Sequence, residues 1–279
     1  MHKPFIFFGT PYVASDTLAY LLEHNLRPVA VVTSPDAPRG RGLTLTPSET
    51  KVLALAHGIP VLTPAKLDSA AVAEIGAFGA EYGVVVAYGK ILPEALIDAF
   101  PLGLINVHYS LLPRYRGASP VEAGLRAGDE TTGVTIQKLV RALDAGDILS
   151  AQEVAILPTE TTRELRPRLV RIGAEMLVAL LPEFETGRTT PVPQDEANAT
   201  HCGRIQKVEG ELDLAGNART NWNTYRGLAE SPGTYFFAEK NGARIRVKIK
   251  SARFENGQFI PETVVPEGKN EMPYAQFVA

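Results

Sequence analysis

Three polar side chains in the middle of the chain are of the types that acyl-transfer chemistry needs. Asn106 and His108 lie two residues apart in an apolar run, and Asp144 follows in a Leu-Asp-Ala-Gly-Asp turn. An Asn amide can donate to a carbonyl oxygen as it becomes an oxyanion, and a His beside a carboxylate can be held charged or oriented to handle a proton. If one reacting carbonyl contacts all three groups, acyl transfer to an amine needs neither a metal nor a nucleophilic side chain.

The residues around this pair predict where it is placed. The run from Gly103 to His108 predicts a short buried parallel strand, so Asn106 and His108 share a face at its carboxyl end. Active sites of open parallel sheets lie at that edge. Taken alone, an Asn-x-His pair at a strand end is usually structural, and Asp and Gly form turns for local reasons. The catalytic interpretation therefore needs further support.

Alternating strands and helices are predicted around the pair. Strands are predicted at residues 5–8, 29–32 and 83–87. Helices are predicted at residues 48–56 and 70–78, and after Thr10, which is the predicted N-cap. A further helix is predicted to begin with Pro120, in the capping-box pattern Ser-Pro-Val-Glu, and to end at Gly128. This order without an excess of hairpins predicts a doubly wound parallel sheet. Gly9-Thr10-Pro11 lacks the glycine spacing of a dinucleotide fingerprint, so we do not predict NAD binding.

The last part of the chain predicts a different architecture. A long amphipathic helix is predicted from Thr161 towards Glu185, and the stretch that follows it is rich in Pro, Thr and acidic residues. Three strands joined by Asn-Gly turns are then predicted, at residues 233–239, 243–254 and 258–264. We expect three parts: a catalytic domain, a linker and a β module, at residues 1–186, 187–203 and 204–279.

Composition narrows the class of protein. The chain has 279 residues, of which 45% are hydrophobic, so it can bury a large core. Its one cysteine, Cys202, excludes an internal disulfide framework and suits a reducing cytoplasm. No secretory apolar region follows Met1, and no apolar run approaches membrane-spanning length. We expect a cytoplasmic protein without membrane contact. Its net charge is −3, so contact with nucleic acid requires local basic patches.

Motifs spread over the first roughly 150 residues support the catalytic interpretation. In chain order they are Phe8-Gly9-Thr10-Pro11, Ser34-Pro35-Asp36, Gly40-Arg41-Gly42, Val85 to Pro93, Asn106 to Pro113, Arg114 to Ala118, Thr132 to Ile136 and Leu143 to Asp147. In this order they resemble the folate-dependent formyltransferases, most closely those that act on methionyl-tRNA. A chance match of one short motif does not extend over such a length.

The resemblance implies both the chemistry and the fold. A formyl group would pass from 10-formyltetrahydrofolate to a primary amine, with no metal. Asn106 and His108 would stabilise the oxyanion, while Asp144 would orient His108 and accept the amine proton through water. The folate would be flanked by Val86, Tyr88, Ser110, Leu111, Leu112 and Pro113. The implied fold is α/β: a doubly wound Rossmann-like domain followed by a small OB-like β module, which is shortened here because some 75 residues remain after the linker.

Two basic segments are candidates for contact with tRNA. The loop between Pro35 and Pro47 carries Arg39 and Arg41, which could reach a phosphate or a terminal base pair. A later strand carries four cations on one face, namely Arg244, Arg246, Lys248 and Lys250. On sequence alone, solvated surface is the commoner explanation for the loop and an equally good one for the strand. From Arg204 onwards Lys and Arg outnumber Asp and Glu by 11 to 9, whereas before it they are outnumbered by 22 to 17.

Three functions remain open. The leading hypothesis is a monomeric enzyme that formylates the α-amine of methionine on initiator tRNA. The second hypothesis is an enzyme that transfers a formyl group to a nucleotide-linked amino sugar. The shortened β module favours this acceptor. The third is a catalytically silent relative that binds RNA. The intact Asn106, His108 and Asp144 argue against the third, and the Gly-Arg-Gly loop and the segment from Val208 to Asp213 argue against the second.

Overall fold

The computed structural model describes residues 2–40, 42–240 and 242–279, and of Arg39 it describes the backbone alone. Two compact units are present, each assembled from three stretches of chain. The first unit contains residues 1–116, 133–153 and 167–200. The second contains residues 117–132, 154–166 and 201–279.

The strands contain two to thirteen residues and occur from the beginning to the end of the described chain. In chain order they are β1 (Phe5–Gly9), β2 (Ala30–Val32), β3 (Ala37–Arg39), β4 (Thr44–Thr46), β5 (Val61–Leu62), β6 (Tyr82–Val86), β7 (Leu104–His108), β8 (Arg116–Gly117), β9 (Thr131–Lys138), β10 (Ile148–Ala155), β11 (His201–Cys202), β12 (Thr234–Lys240), β13 (Ala243–Glu255), β14 (Gln258–Pro266) and β15 (Met272–Pro273).

The helices vary from one turn to almost seven. They are α1 (Tyr12–Glu23), α2 (Glu49–Ala56), α3 (Ser69–Gly76), α4 (Glu94–Ile97), α5 (Pro120–Ala127), α6 (Thr162–Glu185), α7 (Ala218–Leu228) and α8 (Tyr274–Val278). Two short 3₁₀ helices lie at Glu196–Asn198 and Lys207–Gly210. Within the described ranges, none of these helices combines the length and apolar character that a membrane span requires.

A seven-stranded sheet organises the first unit. Its strand order is β10-β9-β7-β6-β1-β2-β5, and the five strands from β7 to β5 are parallel. All five residues of β1 and of β6 are buried, as expected for parallel strands that are covered on both faces. The predicted doubly wound sheet is therefore confirmed. Strands β9 and β10 were not predicted, and β9 pairs with β7 in the antiparallel direction.

The pairing of β9 with β7 holds the loop that follows β7. Asn106 lies opposite Gln137, and His108 lies opposite Thr135. The buried Thr135 hydroxyl donates to the carbonyl oxygen of Ser110 at 2.7 Å and accepts from the amide of Leu112 at 3.1 Å. Because a buried backbone group without a partner is costly, these two bonds set the path of the chain as it leaves the strand.

Side-chain caps are present at the starts of α2, α3 and α7, and the sequence pattern is wrong at two other helix starts. Ser48 accepts from the amide of Lys51 at the start of α2, as its position predicts. The predicted N-cap at Thr10 is wrong, because Pro11 precedes α1 and the Thr10 hydroxyl donates to the carbonyl of Tyr88. Helix α5 begins at Pro120 and ends before the left-handed Gly128, as predicted.

The capping box predicted at the start of α5 does not form. The Ser119 side chain makes no capping hydrogen bond. Glu122, which would complete the box, instead accepts from Arg166, and Arg166 also pairs with Glu230. A charge-assisted bond to a largely buried guanidinium is stronger than a bond to a backbone amide, which explains the difference.

An antiparallel sheet of four strands, in the order β12-β13-β14-β15, forms the centre of the second unit. This confirms the predicted small β module, and its three longer strands agree with the predicted ranges to within two residues. Asn256 and Gly257 both have positive φ, as the tight turn between β13 and β14 requires. Asn241, predicted for the preceding turn, lies outside the described residues. Helix α7 was not predicted, and its Trp222 stacks on Phe254 of the sheet.

Candidate active site

The structure brings His108 and Asp144 together at the carboxyl end of β7. The ring nitrogen Nδ1 of His108 lies 3.7 Å from Oδ2 of Asp144. The other ring nitrogen, Nε2, lies 2.9 Å from the carbonyl oxygen of Tyr115. A carbonyl oxygen only accepts, so Nε2 carries a proton and donates it to this bond. Nδ1 is therefore the atom of the ring that can take up or release a proton beside the carboxylate.

Burial decides the resting charge of this ring. Desolvation lowers the pKa of His108, and the nearby Asp144 carboxylate and the Tyr115 carbonyl offset only part of that effect. At neutral pH the imidazole is accordingly uncharged. Any developing negative charge nearby favours uptake of a proton at Nδ1, because the imidazolium would then face two anionic groups.

The loop between β9 and β10 holds Asp144 in an unusual backbone conformation. Asp144 has a φ of 49°, a left-handed value that Asp tolerates better than most residues. Its Oδ1 accepts from the side-chain amide of Gln137 at 3.0 Å, which leaves Oδ2 directed towards His108. A side chain at Gly146 would collide with the carbonyl oxygen of Lys138, so the tight turn requires glycine there.

Asn106 lies on the same face of β7 as His108, as the strand period predicts. It is half-buried, and Gln137, the residue opposite it on β9, is the one that binds the Asp144 carboxylate. The structure therefore brings His108 and Asp144 together and places Asn106 on the same face of the strand; we call these three residues the Asn-His-Asp trio. Among the described residues, no group of three or more His, Cys, Asp or Glu side chains is arranged to hold a metal ion.

The residues expected beside the folate occupy differing environments. The Ser110 hydroxyl donates to the carbonyl oxygen of Arg114 at 2.6 Å. Leu112 is buried, while Leu111 and Pro113 are half-buried. A side chain at Gly133 would collide with the carbonyl oxygen of Gln152 and with Leu111, which packs against that glycine. This loop is therefore rigidly held and presents two partly exposed side chains.

The two residues expected from β6 and its following loop are buried. Val86 is the last residue of β6 and lies opposite Gly9. Tyr88 is 3% exposed, and its ring packs edge to face on Phe8. Burial raises the pKa of Tyr88 to about 12. Tyr88 is thus part of the hydrophobic core of the first unit.

The loop after β6 and the loop before β10 expose apolar side chains that were not among the residues expected beside the folate. Ile91, in the loop after β6, is 91% exposed, and Leu143, next to Asp144, is 64% exposed. Val140 of the same loop is 42% exposed. Large apolar side chains exposed beside convergent polar groups are typical of a surface that binds a ligand.

The basic loop expected to reach tRNA contains a short hairpin. Strands β3 and β4 pair in the antiparallel direction, with Arg39 opposite Thr44. Arg41 lies outside the described residues, and so does the side chain of Arg39. Leu43 and Leu45 of this hairpin are 71% and 68% exposed.

The four cations of β13 lie on one face of the strand, as alternation predicts; we call this the basic face. Cross-strand aromatic rings support two of them. The guanidinium of Arg244 lies 3.9 Å from the ring centre of Phe237, and that of Arg246 lies 3.6 Å from the ring centre of Tyr235. Lys248 and Lys250 are exposed, whereas Val247 and Ile249 are buried on the opposite face.

A cavity of about 320 Å³ adjoins the basic face within the second unit. Its lining includes Arg246, Lys248, Lys250 and Thr234. The Oγ1 atom of Thr234 and the Nε atom of Arg246 are buried and have no hydrogen-bond partner among the described residues. Buried polar atoms without a partner are costly, so the cavity offers unused hydrogen-bonding capacity beside positive charge.

The buried His108 predicts how stability depends on pH. Its folded-state pKa lies below its ordinary value of about 6.5, so the unfolded chain binds more protons as the pH falls through that value. We expect the free energy of unfolding to fall between about pH 7.5 and 5.5, and to fall less in His108→Gln. Urea unfolding at both pH values measures this, with the exposed His57→Gln as control. An equal fall in wild type and His108→Gln would contradict the assignment.

Sequence comparisons place these observations in a family. Residues 3–181 match the family model described as Formyl transferase. A methionyl-tRNA formyltransferase of Bdellovibrio bacteriovorus is 43% identical over 236 residues, which are 84% of this chain and 74% of that protein. Another, of Geotalea daltonii, is 40% identical over 271 residues, which are 97% of this chain and 86% of that protein.

Solved structures share the fold at much lower identity. Methionyl-tRNA formyltransferase from Clostridium thermocellum aligns with a TM-score of 0.64 at 16% identity, covering 95% of this chain and 99% of that one. A second structure is the N-formyltransferase from Helicobacter canadensis in complex with folinic acid and dTDP-3-aminofucose. It aligns with a TM-score of 0.66 at 17% identity, covering 91% of this chain and 89% of that one. The sequence matches, which span most of the chain, show that it belongs to the formyl transferase family, among the methionyl-tRNA formyltransferases.

Proposed function

We propose that this protein transfers the formyl group of 10-formyltetrahydrofolate to the α-amine of methionine on initiator tRNA. The observation that carries the proposal is the approach of His108 Nδ1 to the Asp144 carboxylate, at 3.7 Å, at the end of the strand that also carries Asn106. The names of the relatives support methionyl-tRNA as acceptor. Because the reaction serves the initiation of translation, we assign the protein to the cytoplasm.

The folate would supply an activated formyl carbonyl, and the side chains present fit such a substrate. Ile91, Leu143 and Val140 expose apolar surface that a flat ring system can cover. Asn106, half-buried at the strand end, presents an amide to the carbonyl oxygen. These features support the folate as co-substrate, as does the folinic acid in the complex of the Helicobacter canadensis relative.

Each member of the trio has a distinct chemical task. As the amine attacks the formyl carbon, the Asn106 amide donates to the oxygen that becomes negative. His108 takes up a proton from water at Nδ1 and adds a second donor to the oxyanion, while its Nε2 stays bound to Tyr115; it returns this proton to water when the oxyanion collapses. Asp144 accepts, through water, the proton that the amine loses when the new carbon–nitrogen bond forms. Through the same water Asp144 passes that proton to the folate nitrogen, which leaves as the old carbon–nitrogen bond breaks.

The basic face supports the tRNA as partner. Arg244 and Arg246 are held on aromatic rings, so their guanidinium groups lose less freedom on binding a phosphate. Lys248 and Lys250 extend the same row, and the adjoining cavity has buried donors without partners. A row of cations along one strand suits the backbone of a nucleic acid, which carries charge at regular intervals.

An acceptor comparison tests the proposed reaction. We expect formyl transfer from 10-formyltetrahydrofolate to charged initiator tRNA, and none to a panel of nucleotide-linked amino sugars. In Asn106→Ala, kcat should fall by about 100-fold with little change in folate affinity, because one oxyanion donor is lost. Asn198→Ala, in an exposed 3₁₀ helix, serves as the control. Preferred transfer to an amino sugar would overturn the acceptor, and normal turnover of Asn106→Ala would overturn the role of Asn106.

The salt dependence of tRNA binding tests the basic face. Each cation that contacts a phosphate releases a condensed counterion, so Lys248→Ala and Lys250→Ala should each lower the slope of log K against log salt by about one unit. Arg253→Ala is a matched control on the same strand, because Arg253 is already paired with Glu255 and Glu262. Unchanged slopes in both lysine variants, with the fold intact, would mean that the tRNA is held elsewhere.

A further inference from the structure

Gln194, in the stretch expected from the sequence to be a linker, contacts the loop that carries Asp144. Its side-chain nitrogen Nε2 donates to the carbonyl oxygen of Asp144 at 2.9 Å and to that of Gly146 at 2.7 Å. The side-chain oxygen of Gln137 lies 3.2 Å from the same nitrogen. One side chain thus binds the backbone on both sides of the turn that orients Asp144.

The buried guanidinium of Arg116 determines which way the Gln194 amide faces. Its Nε and Nη2 atoms donate to the side-chain oxygen of Gln194 at 3.0 and 2.7 Å. Its Nη1 and Nη2 atoms donate to the Glu196 carboxylate at 2.9 and 2.6 Å. A guanidinium can only donate, so the oxygen of Gln194 must face Arg116 and its NH₂ group must face the loop.

The backbone of Asp144 depends on such external support. Even for Asp, its left-handed φ of 49° is less favourable than a right-handed one, so hydrogen bonds from outside the turn help to hold that conformation. Its carboxylate is held at Oδ1 by Gln137, which itself contacts Gln194. Without the Gln194 amide, the Asp144 backbone would lose its external hydrogen bond. Gln137, which holds the Asp144 carboxylate, would also lose its contact with Gln194.

We propose that Gln194 and Arg116 are positioning residues that set the placement of Asp144 against His108. This inference rests on the proposed function of Asp144 and His108 in proton transfer. Neither Gln194 nor Arg116 acts on the substrate. Their effect is exerted through the Asp144 loop, and a shift of the carboxylate by about 1 Å is enough to slow a reaction by up to about 100-fold.

Gln194→Glu, which is nearly equal in size to the wild-type residue, tests whether Gln194 positions Asp144 or only fills space. Gln194→Glu keeps an oxygen towards Arg116 but places a second oxygen against the carbonyls of Asp144 and Gly146. We expect kcat to fall by about 10-fold to 100-fold, with KM for both substrates changed by less than about 2-fold. Gln152→Glu, exposed on β10, is the matched control for the added charge. Arg116→Lys, which can reach fewer acceptors, should show a smaller change of the same kind.

A spectroscopic readout makes the test independent of turnover. In protein labelled with ¹⁵N-histidine, the Nδ1 signal of His108 should move in Gln194→Glu in the same direction as in Asp144→Asn, and should stay in place in Gln152→Glu. If the wild-type protein transfers no formyl group, the proposed function is wrong. The His108 signal still tests whether Gln194 positions Asp144. A normal kcat, or an unmoved His108 signal in a folded Gln194→Glu protein, would overturn it.

Discussion

The antiparallel pairing of β9 with β7 is the constraint on which the rest of the site depends. It extends a parallel sheet by one strand of opposite direction, which places Gln137 opposite Asn106 and Thr135 opposite His108. Gln137 then binds the carboxylate of Asp144, and Thr135 holds the loop after β7. A shift of this register by one residue would turn both contacts to the other face.

Burial of the His108 imidazole determines how the site can handle a proton. Taking His108 out of water disfavours its charged form, and the single carboxylate beside it restores only part of the loss. The ring therefore rests neutral but close to an anion, and its free Nδ1 is ready to accept a proton when negative charge develops nearby. Because the Tyr115 carbonyl occupies Nε2, the proton exchange is confined to one side of the ring.

The sequence predicted the parts of the site that follow local periodicity. The period of two in β7 predicted that Asn106 and His108 share a face, and the same rule predicted the basic face of β13. The role of Asp144 came from the family resemblance, because the tight turn that carries it is common for local reasons. The aromatic support of Arg244 and Arg246 depends on cross-strand register, which one strand alone cannot reveal.

Other elements escaped prediction for physical reasons. Strand β9 is buried at six successive positions, and its polar residues Thr132, Thr135 and Gln137 are buried with its apolar ones, so residue polarity does not indicate which side chains face the core. Helix α7 buries polar residues such as Asn221 and Asn223. The capping-box pattern at Ser119 was wrong because a distant arginine binds Glu122. Gln194 stands in an aperiodic stretch rich in proline, where only the folded backbone shows what it contacts.

The central claim is that the Asp144 carboxylate beside His108 handles the amine proton in formyl transfer. The most direct measurement is the single-turnover rate of formyl transfer to charged initiator tRNA by Asp144→Asn, together with the dissociation constants of folate and tRNA. Asn keeps the size of Asp but neither accepts the proton nor carries the charge. The account predicts a rate at least about 100-fold below wild type with both dissociation constants nearly unchanged. A rate close to that of the wild type would contradict it.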